Sequence, residues 1–69
     1  MLGQTRAARD GAGRVWIAWE DRRTARTRLA PAEGGDTLTV AGVDPALAGT
    51  ASGWRLATDD AGTIRTRTD

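Results

Sequence analysis

At 69 residues the chain has room for one small domain, and with neither cysteine nor histidine it lacks disulfides, thiolate metal sites and the usual imidazole base. Ser52, the only serine, has no imidazole to activate it, so Ser-His-Asp, Cys-His and zinc-hydrolase mechanisms are excluded; no cofactor is expected. Ten arginines without a single lysine face nine carboxylates; the formal net charge of +1 does not mark a globally basic nucleic-acid binder.

Met1 to Gln4 carry no apolar leader, so the expectation is either a cytoplasmic location, taken by default, or a mature or excised piece. Gln4 to Arg9 reads as a weak edge strand, and Asp10-Gly11-Ala12-Gly13 supplies a hairpin turn. Arg14 to Glu20 is the second strand. It holds the longest apolar run, Val15 to Trp19, five residues where a bilayer span needs ~20. Alternation sends Val15, Ile17 and Trp19 to one face and Trp16 and Ala18 to the other, which predicts burial on both sides. After the polar turn Asp21-Arg22-Arg23, Thr24 to Ala30 alternates Ala25, Thr27 and Leu29 against Thr24, Arg26 and Arg28, with the arginine face in water.

Pro31 to Asp36 is the clearest loop, and Thr37 to Val43 follows as a fourth strand. Asp44 has the chemistry of an N-cap, and Pro45 to Leu47 reads as a single helical turn ahead of a small, flexible Gly49 to Gly53 segment. Trp54, Leu56 and Thr58 alternate inward along a fifth strand, and Asp59 to Gly62 forms another hairpin turn. Thr63 to Thr68 closes the chain, with Ile64 and Thr66 inward and Arg65 and Arg67 outward. The class is all-β, an antiparallel meander of about six short strands. Val15, Ile17, Trp19, Leu29, Val40, Leu56 and Ile64 are its expected buried residues.

An internal similarity runs through this pattern. Arg6 to Gly13 and Arg55 to Gly62 match at five of eight positions at an offset of 49 residues, and Val15 then meets Ile64. The Asp-x-x-Gly turn and the strand ending Ala18-Trp19-Glu20-Asp21 resemble the repeats of sialidase-like, Asp-box β-propellers, where Gly13 to Arg23 matches a typical blade segment. Thr58, Asp60 and Gly62 match the first half of the Asp box, but Ile64 and Arg65 stand where threonine and tryptophan are expected. The likeness covers Arg6 to Arg28 and Arg55 to Asp69. It implies a propeller-blade-like fold in a single domain over residues 1–69, with residues 4–43 as a four-stranded unit and 54–69 as the start of a second. Such a remnant cannot close a propeller, so self-association or a larger parent propeller is expected; a small isolated β-barrel or sandwich is the alternative. Sialidase chemistry needs a tyrosine nucleophile, which this chain lacks, and the expectation is a non-catalytic protein.

Three sets of residues are candidates for binding. Trp16, Trp19 and Trp54 are the only aromatic residues, and an indole beside charged groups is a platform for a sugar ring; Trp54 with Arg55 and Asp59, or Trp16 with Glu20, has that composition. Arg26 and Arg28 with Arg65 and Arg67 would form a four-arginine patch for a nucleic-acid backbone if their strands lay side by side. The adjacent acidic pairs Glu20-Asp21 and Asp59-Asp60 lie at turns, where carboxylates bond their own backbone rather than act as an acid-base pair. A lectin-like or scaffold module is thus the leading expectation, with a small nucleic-acid-binding barrel and a purely structural assembly module as alternatives.

Overall fold

Seven antiparallel strands and no helix make up the computed structural model, which describes the backbone of residues 2–69 and the side chains of residues 3–69. Strands β1 (Leu2–Arg9), β2 (Val15–Asp21), β3 (Arg26–Pro31) and β4 (Leu38–Ala41) form one meander in that order. Strands β5 (Val43–Gly49), β6 (Trp54–Asp60) and β7 (Thr63–Thr68) form a second. The all-β, antiparallel expectation holds, with two open sheets in place of a closed barrel.

Both hairpins of the internal repeat are present and differ in length. Between β6 and β7, Asp60 pairs with Thr63, and Ala61 (φ 52°) and Gly62 (φ 90°) form a two-residue loop with both residues left-handed, as a type I′ turn requires. Between β1 and β2, Arg9 pairs with Val15 and the loop Asp10 to Arg14 is closed by the Asp10 amide donating to the Arg14 carbonyl at 2.9 Å.

Strand β5, additional to the six expected, lies where a helical turn was expected. Val43–Gly49 runs extended against β6, and the ladder slips between Val43 and Ala46, which accommodates Pro45, a residue with no N–H to give. Gly42 alone connects the two sheets. Its φ is +108°, and a Cβ there would lie 2.8 Å from the Thr58 side chain. The corner is pinned by hydroxyls, since Thr27 Oγ1 donates to the Gly42 carbonyl at 2.9 Å and Thr58 Oγ1 to the Ala41 carbonyl at 2.8 Å.

Ala18, Leu29, Trp54 and Leu56 form the core between the sheets, with Trp16, Leu38, Val40 and Leu47 packed around them. Leu29 and Leu56 are 2% and 1% exposed, as expected, and each contributes roughly 1.5–3 kcal/mol by burial. Two strands depart from the expected core: β2 in which of its faces is the more buried, and β7 in a reversed face. On β2 it is Trp16, Ala18 and Glu20 that point inward, because β3 presents Thr27 opposite Glu20 and Leu29 opposite Ala18; Val15, Ile17 and Trp19 lie half-buried on the outer face. On β7 the inward face carries Arg65 and Arg67, and Ile64 is 68% exposed. The two-residue turn dictates this, since it pairs Thr58 with Arg65 and Leu56 with Arg67, and directly opposed residues share a face.

The sheets approach closely along β1 and β5. The Gly11 amide donates to the Thr50 carbonyl at 2.8 Å, and Gly49 lies on the Arg9 carbonyl, where any Cβ would overlap it. On the opposite side lie the other two sheet edges, β4, paired only with β3, and β7, paired only with β6, among the described residues.

Candidate functional site

A groove of about 340 Å³ opens between those two edges. Leu56 and Thr58 of β6 and Val40 of β4 line it, and β4 adds Thr39 and Ala41. Strand β7 contributes Arg65, Thr66 and Arg67. The lining contains two guanidinium groups and no carboxylate. Arg65 Nε is held 2.8 Å from Asp60 Oδ2, with both side chains reaching solvent, whereas Arg67 has no ion pair among the described residues. A pocket of this size lies at the lower end of the ~300–1,000 Å³ typical of small-molecule sites. Its chemistry suits a narrow anionic group with an apolar neighbour.

The expected arginine patch is divided. Arg26 and Arg28 sit on the outer face of the first sheet, opposite Asp21 and Trp19, and Arg28 Nη1 is 3.6 Å from Asp21 Oδ2. Arg65 and Arg67 belong to the other sheet and face the interval between the two. The four do not converge, because β3 is a central strand whose arginines alternate away from the core that Thr27 and Leu29 enter.

Nor do the expected sugar platforms assemble. Trp54 is 6% exposed and packs on Trp16 with ring centroids 6.4 Å apart and planes tilted by 60°, so its π face is covered. Its neighbour Arg55 points outward on the face shared with Asp59, whose Oδ1 accepts the Gly62 amide at 2.8 Å. Trp16 is half-buried; its indole N–H donates to Asp10 Oδ2 at 3.0 Å and the Arg14 guanidinium lies 5.5 Å from its ring centroid. Trp19 is half-buried beside Ile17 on the outer face.

Glu20 is 1% exposed and serves the fold. Its Oε1 accepts the Gln4 amide and Arg22 Nε, both at 2.8 Å, and its Oε2 accepts the Asp44 amide at 2.6 Å. Arg22 reaches onward to Asp44 Oδ1 at 3.0 Å. One carboxylate therefore ties β1 and the β2–β3 turn to the start of β5. Burial by itself would raise the Glu20 pKa, but the amides of Asp44 and Gln4 together with Arg22 outweigh it and hold the carboxyl below its ordinary value. Asp10 is likewise held low, first by the Trp16 indole N–H, against a burial penalty, and then by the amides of Arg14 and Ala12. Of the two acidic pairs, Asp21 and Asp59 accept turn amides, from Arg23 at 3.1 Å and Gly62 at 2.8 Å, as expected, whereas Glu20 bonds the amides of distant segments and Asp60 pairs with Arg65.

From the sequence, Val40 and Thr58 were expected as inward-facing residues, and neither they nor Thr39 were candidates for the site. The signal was the loop Ala61-Gly62: a two-residue hairpin fixes the pairing of Leu56 and Thr58 with Arg67 and Arg65, and so places the arginines on the face that β6 turns inward. No protein-family model matches the chain, and no curated protein and no solved structure matches it.

Proposed function

We propose that the protein is a non-catalytic binding module that holds an anionic ligand in the groove between β4 and β7. The supporting observation is the coincidence of Arg65 and Arg67 in one groove without a carboxylate in its lining; Asp60, outside the lining, engages Arg65, and Arg67 has no ion pair among the described residues. Charge-assisted hydrogen bonds from a guanidinium are about twice as strong as neutral ones, and the planar fork favours carboxylate and phosphate oxygens. The glycan reading on Trp54 loses its support because the indole is covered by Trp16. The nucleic-acid reading keeps only half of its arginines at this site.

Anionic probes test the groove directly. Binding of oligoglutamate, followed by tryptophan fluorescence, is expected to weaken roughly tenfold in Arg67→Ser and to decline with salt, while Arg26→Ser leaves it unchanged. Equal losses from both variants would mean a diffuse surface effect and would remove the groove from the reading.

An assembly role is the second reading, favoured by the half-buried stripe Val15, Ile17 and Trp19 on the outer face of the first sheet. It carries forward the self-association implied by the propeller resemblance. Sedimentation equilibrium at micromolar concentration separates the two: a species heavier than the 7.3 kDa chain supports assembly, and a clean monomer leaves only the binding module.

A further inference from the structure

We infer that the groove receives an extended acidic peptide, which adds as a strand to the free edge of β7 and sets alternate carboxylates against Arg65 and Arg67. The inference rests on the binding reading above and names the class of its ligand. Four observations carry it. First, β7 is an edge strand exposed at all six of its residues, so its outer row of backbone donors and acceptors lacks a partner strand. Second, the internal repeat sets β6–β7 over β1–β2, and β2 has a strand on both sides; the position that β3 occupies beside β2 is vacant beside β7.

Third, the charges select the occupant. Arg65 and Arg67 share one face two residues apart, ~7 Å along a strand, so a paired peptide carrying acidic residues at alternate positions meets both guanidiniums on the groove side. A second copy of β7 fails the same test. In the face-preserving antiparallel registers of greatest overlap, self-pairing would put arginine directly opposite arginine, and like charges so placed are destabilising. Fourth, an oligonucleotide lacks the period of amides and carbonyls that completes a ladder. The groove also offers no aromatic surface for its bases, since Trp54 is buried and Trp16 is bonded to Asp10.

The test uses the intact chain and four probes: a seven-residue peptide alternating glutamate with valine, the same peptide N-methylated at alternate amides, an isomer with its glutamates clustered, and oligo-dT. Backbone amide shifts and hydrogen exchange at β7 are the readouts. The expected result is that the alternating peptide binds and protects β7 amides from exchange. The N-methylated and clustered forms should bind at least about tenfold more weakly, and Arg67→Glu should reverse the preference toward a lysine-valine peptide. Because Arg67 is exposed, that variant keeps the fold, and the reversed preference reads out the pairing rather than stability. Equal binding of the N-methylated peptide would overturn strand addition, and tighter binding of oligo-dT would overturn the peptide class; either leaves an anion-binding groove standing. No shift at β7 with any probe would overturn the inference and the binding reading together.

Discussion

Glu20 shows how a single buried carboxylate substitutes for apolar area in a chain this short. Three donors from separate segments meet its two oxygens, so its conversion to an amide would turn one acceptor into a donor facing an N–H. Glu20→Gln is expected to cost about 1–3 kcal/mol, read as a lower midpoint in urea unfolding with an unchanged slope. The pH dependence has a definite sign. Because the folded-state pKa of Glu20 lies below its unfolded value, its contribution is complete above the ordinary glutamate range and is lost as the pH falls through the depressed value. Asp10 acts in the same direction. Thermal midpoints should therefore fall between about pH 5 and pH 2, and the fall should be shallower in Glu20→Gln; parallel profiles would show that another group governs acid unfolding.

At the level of elements, the hairpins were legible and the faces were not. Asp-Gly chemistry located both turns, and β7 begins and ends where alternation put it. On β2, however, Val15, Ile17 and Trp19 oppose Trp16 and Ala18 with comparable apolar weight, so periodicity alone could not choose a face. The choice came from β3, whose Thr27 and Leu29 fix the register, and from the donors that Glu20 finds inside. β5 was missed because Asp44-Pro45 reads locally as a helix start, whereas the left-handed Asp44 (φ 53°) and a ladder slip let the strand continue. The reversed face of β7 gives a direct check: Ile64→Thr should change stability by less than about 0.5 kcal/mol, as for an exposed side chain, and a loss of several kcal/mol would return Ile64 to the core. Gly42→Ala should behave oppositely. A Cβ at φ +108° and 2.8 Å from Thr58 should cost about 2 kcal/mol or more, measurable by chemical unfolding.

The whole molecule is an open sandwich, closed along β1 and β5 and open along β4 and β7. That asymmetry creates the groove, and it was hidden in the sequence because it depends on how two separate sheets meet. The hairpin turn ahead of β7 was visible in the sequence, but alternation had put Arg65 and Arg67 on the outer face. Under the proposed function, this opening, rather than either outer sheet face, is where the molecule meets an anionic ligand. Mapping backbone amide shifts during an oligoglutamate titration tests it most directly. The prediction is perturbation concentrated at residues 39–41 and 63–68 that disappears in the Arg65→Ser, Arg67→Ser double variant; shifts centred on Arg26 and Arg28, or unchanged by the double variant, would contradict it.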